Sequence, residues 1–191
     1  MSIPAGSVRR WGDRFPGPTN RLPEAAMSEH GDIAPSYTTS FTVENRPAEV
    51  VAAISAPRAW WMTDIQGATT QVGDEFSFEV PGVHYSKLRV STLVPDELVV
   101  WTVIEGQVKF VADRDEWTGT EIRFELSPST DGTTVNFTHA GLHPGHECYE
   151  ACSGAWNLYA GGSLRSYLTT GQGQPNSNPD EERFQQDAPA S

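Results

Sequence analysis

The feature that most constrains this chain is a change of hydrophobic period. From Tyr37 to His139 apolar side chains recur at every second residue in a series of short runs; from Glu147 to Thr170 they recur at helical spacing. Tyr37, Thr39, Phe41 and Val43 share one strand face, then Phe76, Phe78 and Val80, and then His84, Ser86, Leu88, Val90 and Thr92. A Pro95-Asp96 turn leads into a strand from Glu97 to Glu105 that carries Trp101, and a weaker segment follows over Gly106–Val111. Ile122, Phe124 and Leu126 alternate within Thr120–Leu126. After an Asp131-Gly132 turn, Val135, Phe137 and His139 do the same.

Two helical pieces separate the first strand from the others. Pro47–Ile54 follows Asn45 or Arg46 with proline in the first turn, and Pro57–Trp61 reads as one further turn that Asp64 and Gly67 help to end. The last helix carries Cys148, Cys152, Trp156, Tyr159, Leu164 and Leu168 on one stripe, with Pro144 before it and Gly171 after it. Gly161-Gly162 weakens its middle and predicts a kink or a close backbone contact. An antiparallel meander with one apolar face and one long amphipathic helix is an α+β layout: a curved sheet gripping the C-terminal helix. Such a sheet closes easily on the helix ends and less easily on its middle, so a pocket between helix and sheet is expected.

The ends of the chain differ from this core. Residues 1–36 are rich in Pro, Gly, Arg and Ala without a sustained period, and 171–191 is rich in Gln, Asn, Pro and Asp. Both segments are expected to be disordered, because neither buries enough apolar surface to offset ordering. Residues 1–26 read as an over-extended start or a dispensable tail. One folded domain over 37–170 remains, holding five of the six tryptophans. The chain carries 13 Lys/Arg against 25 Asp/Glu, a net charge of −12, which disfavours a nucleic-acid partner. No run of about 18 apolar residues is present, so no membrane span is expected. Arg9-Arg10 lacks the apolar segment of an export signal, and two cysteines four residues apart make a poor staple. A reduced, cytoplasmic protein is the expectation.

Several stretches, taken in order, resemble a known family. They are Ala59-Trp60-Trp61, Val72–Phe78, Leu93–Trp101, Trp117–Ile122, Gly132–Leu142, and Trp156 with Ser163-Leu164. The chain is similar to the START-like (SRPBCC, helix-grip) superfamily, within the group named after the activator of the ninety-kilodalton heat-shock chaperone's ATPase. The resemblance covers about residues 37–170 and implies a helix-grip fold with a hydrophobic ligand cavity. Ligand binding is the leading reading, and the alternatives beside it are a co-chaperone or stress contact and a polyketide cyclase- or hydrolase-type enzyme using the same cavity.

Trp60, Trp61, Trp101, Trp156 and Tyr159 fall on elements facing the helix–sheet gap, as aromatic walls do in small-molecule sites. His84 and His139 point inward by alternation, and a buried imidazole needs a partner. His139 is expected to bond the Gly141–Pro144 loop, and His84 with Ser86 to orient a ligand. His139, His143, His146, Cys148 and Cys152 lack the spacing of a zinc motif, so no metal or other cofactor is expected. Asp64, Glu79, Glu116 and His84 are the groups from which acid–base catalysis would be built; the carboxylates read more simply as solvated charge, and no catalytic residue is assigned. The expected partner is a small hydrophobic or amphipathic molecule; a chaperone and a second copy of the chain stay open.

Overall fold

In a computed structural model, residues 36–177 are described; apart from Ser36, the expected N-terminal extension lies outside them, as does 178–191. Strand β1 (Tyr37–Val43) is followed by α1 (Pro47–Ile54), a 3-10 turn (Pro57–Ala59) and a two-residue β2 (Gln66–Gly67). Then come β3 (Glu75–Val80), β4 (His84–Val94), β5 (Leu98–Val108), β6 (Glu121–Ser129) and β7 (Gly132–Ala140). They form one seven-stranded antiparallel sheet in the order β1-β7-β6-β5-β4-β3-β2. The chain then runs helically from Tyr149 to Thr170 as α2 (Tyr149–Trp156), a π-helical stretch (Asn157–Leu164) and α3 (Arg165–Thr170).

The strands follow the alternation closely. Phe76, Phe78, Leu88, Val90, Ile122, Phe124, Leu126, Val135 and Phe137 are buried, while the residues between them are partly or fully exposed. The expected break at Glu105 is absent: β5 runs on to Val108. Two register irregularities in the β4–β5 pairing, at Lys87/Leu88 and between Val90 and Thr92, bend the sheet where it must curl around the helix. Helix α1 starts at Arg46, whose backbone N–H donates to Glu49 Oε2 at 2.9 Å, and Pro47 occupies the first turn as expected.

The glycine pair Gly161-Gly162 lies inside the π-helical stretch. A side chain at Gly161 would meet only Thr39 Oγ1, at 3.8 Å, so the pair marks a widened helix rather than a close approach. Glycine's low resistance to departure from the regular ladder makes it the weak point at which such widening settles. Helix α3 ends at Gly171, whose φ of 76° and N–H to Tyr167 O bond form a left-handed stop.

Beyond Gly171 the chain departs from the expected disordered tail. Gln174 N donates to Ser163 Oγ at 2.6 Å, Asn176 N to Trp61 O at 2.8 Å, and Thr63 N to Asn176 O at 3.0 Å. Gly173 makes this path available, because a Cβ there would lie 2.2 Å from Ala59 O. Backbone pairing, which composition does not register, holds 172–177 against the domain. No described helix is long and apolar enough to cross a membrane.

The centre of the molecule is aromatic. Phe124 is fully buried, 5.3 Å from Trp101, 5.1 Å from Phe137 and 6.0 Å from Trp60 by ring centroids. Its truncation, Phe124→Ala, is expected to cost about 3–5 kcal/mol of unfolding free energy, read from urea denaturation.

Candidate functional site

The space expected to be hollow is mostly filled by the protein's own rings. Trp61 stacks nearly parallel on Trp101 (6.0 Å, 4°), Trp60 stacks on Trp101 at 6.4 Å, and Trp156 lies 5.0 Å from Trp61 and 4.8 Å from Phe137. Trp60 and Trp101 are fully buried in this layer, and Trp60 Nε1 donates to Ala53 O at 3.0 Å. These two indoles are core packing and not cavity wall.

What stays open is a crevice of about 230 Å³ between the C-terminal helix and the turn joining β3 to β4. Trp61, Trp117 and Trp156 wall it with Phe78, and Cys152 and Tyr159 face it from the helix. His84 and Asn176 add polarity, and the half-exposed Val83 and Phe110 form part of its rim. Among the described residues no carboxylate lines it.

Each wall residue has a local reason for its position. Trp61 is set by the 3-10 turn, its N–H donating to Pro57 O at 2.7 Å, while the Arg58 guanidinium clamps the following loop by donating to Ile65 O and Gly67 O. Cys152, Trp156 and Tyr159 follow one another at helical spacing along one stripe. Trp117 comes from the loop between β5 and β6 and crosses over Gly106, where a Cβ would lie 2.8 Å from Trp117 Cβ. Glu116 ties that loop to the start of α2: its carboxylate accepts the N–H groups of Glu147 (2.6 Å) and Cys148 (3.0 Å). Burial opposes ionisation of Glu116, yet these bonds hold its carboxyl below the ordinary carboxylate range. It is thus a helix anchor rather than a solvated charge.

The two inward histidines diverge. His139 is fully buried beneath the indole layer, away from the crevice; its backbone carbonyl accepts the Leu142 N–H at 3.2 Å, but its imidazole does not bond the Gly141–Pro144 loop as expected. Trp156 Nε1 donates to its Nδ1 at 2.9 Å, so Nε2 carries the proton and donates to Thr120 Oγ1 at 2.9 Å. The Thr120 hydroxyl in turn donates to Trp117 O at 2.6 Å. This chain of bonds fixes the imidazole tautomer and, with it, the orientation of the crevice-walling Trp156. His84 lies on the crevice wall against Trp117 (4.3 Å) and Phe78 (5.3 Å), its Nε2 paired with the buried Ser86 hydroxyl at 2.9 Å. Ser86 sits behind the ring and off the wall, so it orients His84 rather than meeting a ligand.

Of the eight candidate residues, Trp61, His84, Trp156 and Tyr159 are on the crevice wall; Trp60, Ser86, Trp101 and His139 support it from behind. Sequence reasoning missed Trp117, Phe78, Met62 and Cys152 as wall residues. Phe78 carried a signal, since it shares the inward face that approaches His84; Trp117 carried none of periodicity, being in a loop. The remaining carboxylates are not gathered at the site: Glu79 pairs with Lys109 on the surface. Among the described residues no three of His, Cys, Asp and Glu converge on one point, and His143 Nδ1 instead accepts the Gly145 N–H.

With this geometry in place, comparison with known proteins is decisive for the family. The model of the Activator of Hsp90 ATPase homolog 1-like protein family matches residues 46–169. The chain belongs to this family. Similar solved structures include the Aha1 protein of Colwellia psychrerythraea, a dimer in solution. It is 24% identical with a TM-score of 0.59, over 73% of this chain and 99% of that one. Protein MLL2253 of Mesorhizobium loti is 16% identical with a TM-score of 0.55, over 70% and 96%. Protein SSP2350 of Staphylococcus saprophyticus is 14% identical, also at 0.55, over 75% and 98%. At these identities the likeness is one of fold: the helix-grip architecture. No curated protein sequence matches the chain.

The histidines make stability depend on pH. Burial first, then the Lys109 charge, pushes His84 down to about 4. Burial first, then the His84 and His146 charges, pushes His139 down to about 3. Unfolded imidazoles take protons near pH 6.5, so between there and pH 4 the unfolded chain binds more protons than the folded one. Stability is therefore full above pH 7 and falls as pH drops through that window, by up to about 1.4 kcal/mol per pH unit for each imidazole. Urea denaturation at pH 7.5, 6.0 and 5.0 should show the decline, and His84→Phe should make it shallower. Equal stability at the three values would refute the assignment of two neutral buried imidazoles.

Proposed function

We propose that the protein binds a small, flat, largely apolar molecule bearing one polar group, held in the crevice between the C-terminal helix and the β3–β4 turn. The observation that carries this reading is the contrast within one interior: indoles fill the centre, yet a crevice walled by Trp61, Trp117, Trp156 and Phe78 is left open beside them. A cavity of about 150 Å³ is known to admit benzene, and drug-sized sites run to roughly 300–1,000 Å³. At about 230 Å³ the crevice suits one or two rings.

His84 supplies the polar contact. Its Nε2 is engaged by Ser86, so Nδ1 is the ring nitrogen left for an occupant, and the ring is neutral at pH 7. With no carboxylate on the wall and the imidazole far from its ordinary pKa, the lining favours holding a molecule over acid–base turnover. The family membership supports the same reading, since the helix-grip fold sets the C-terminal helix against the curved sheet and the crevice lies along that junction.

Intrinsic tryptophan fluorescence against a panel of one- and two-ring aromatic compounds, hydroxylated and not, tests the proposal. Saturable quenching is expected for the panel members that fit. His84→Phe should weaken hydroxylated members about 2- to 12-fold, the range of one hydrogen bond, and leave unsubstituted ones unchanged. Ala155→Leu, which fills the crevice from the helix, should abolish binding while leaving thermal stability equal or higher. Quenching that survives Ala155→Leu would place binding elsewhere, and absence of any saturable quenching would end the reading.

A further inference from the structure

We propose that Cys152 is a nucleophile of the crevice, forming a covalent adduct with small, flat, conjugated carbonyl compounds that bind there. The inference rests on the reading of the crevice as a ligand site and names a substrate class for it.

Three observations place a reactive thiol at this spot. Cys152 lines the crevice, whereas its partner Cys148, one helical turn earlier (Cys152 N donates to Cys148 O at 2.9 Å), is fully buried off the wall. Both thiols are free. The third observation is Trp117: its indole is 4% exposed, it walls the same crevice, and its Nε1–H has no hydrogen-bond acceptor. An unpaired buried donor is costly, and on this wall an acceptor held in the crevice would satisfy it.

The two thiols are not equivalent. Glu116, whose carboxylate caps the helix, acts on Cys148, and Cys148 in turn hydrogen-bonds Cys152. The bond to Cys152 first, then burial and the nearby carboxylate, push the Cys148 thiol up, so it keeps its proton. That S–H lowers the Cys152 thiol against the opposing effects of burial and the Glu116 charge. Cys148 is therefore a positioning residue, and Cys152 is the atom that reacts.

The step is a conjugate addition. The Cys152 thiol loses its proton to water, and the sulfur bonds the β-carbon of an α,β-unsaturated carbonyl. The alkene pair moves to the carbonyl as an enolate, which then takes a proton from water at the α-carbon. The net change is addition of S–H across C=C, with no oxidant and no leaving group. Aromatic walls hold the conjugated plane, and the apolar surroundings admit the electrophile while limiting water.

The test treats the full chain at pH 7.4 with N-phenylmaleimide, a flat apolar acceptor, and follows intact mass and modified peptides against glutathione as the reference thiol. A single adduct on Cys152 is expected, at least 10-fold faster than glutathione, with Cys148 unmodified. Cys152→Ala should abolish it. Cys148→Ala should slow it about 3- to 10-fold and shift the pH at which reactivity reaches half its maximum upward, which a purely structural role would not do. Thermal melts of both variants report folding. The saturated analogue N-phenylsuccinimide has the same shape and no reactive alkene, so it should bind and protect Cys152. Binding of the analogue without adduct formation by the maleimide overturns this inference and leaves the binding reading intact. Failure of both overturns both. Adduct formation that the analogue does not slow, or equal labelling of the two cysteines, overturns capture at the crevice.

Discussion

The spacing between helix and sheet is set by one aromatic layer, and most other features of the molecule depend on it. Trp61 stands between the sheet-borne Trp101 and Phe78 on one side and the helix-borne Trp156 on the other, at 6.0, 4.8 and 5.0 Å. Offset and edge-on ring pairs contribute about 0.5–1.5 kcal/mol each beyond the area they bury, and rings cannot be compressed. The rings between them therefore hold the helix off the sheet. Under the centre of the helix that gap is filled. Toward the β3–β4 turn the layer runs out while the gap continues, and the crevice is the remainder.

A fully bonded polar chain keeps the layer in register. Burying an imidazole without partners would cost several kcal/mol, but His139 uses both nitrogens, to Trp156 and Thr120, and the Thr120 hydroxyl donates a hydrogen bond to Trp117 O. The chain thereby joins β7 to the helix and the β5–β6 loop, and these last two line the crevice. Protonating His139 would set two donors, Nδ1–H and Nε1–H, against each other. The neutral state of this histidine and the orientation of Trp156 are one structural fact. The Glu116 carboxylate repeats the tie on the outside, joining the same loop to the first amides of α2.

Periodicity made the strands and the helix legible, because a sheet with one buried face imposes a two-residue repeat on every strand, and Phe76, Leu88, Phe124 and Phe137 obey it. It also placed His84 and His139 on inward faces. It was silent on depth. Trp60 and Trp61 are adjacent, yet one ends in the core and the other on the crevice wall, a difference set by the 3-10 turn and not by any repeat. Trp117 was out of reach for another reason: a loop has no period, and its position depends on the absence of a side chain at Gly106. Backbone pairing of 172–177 was hidden in the same way, since a Gln- and Asn-rich segment docks here through its main chain and one close-approach glycine.

Empty apolar volume is a cost that packing ordinarily removes. At roughly 24 cal/mol per Å³, a closed void of this size would forfeit about 5 kcal/mol, and opening it to solvent exchanges part of that loss for the exposure of indole surface to water. Replacing Ala151 or Ala155 by leucine or methionine would fill it at little cost in helix propensity, so small residues on the helix are what keep it open. The same helix face that contributes Trp156 to the packed layer contributes two alanines and a thiol to the crevice. One element thus packs densely where it holds the fold together and sparsely where it meets the crevice, and the switch occurs within the single helical turn from Cys152 to Trp156.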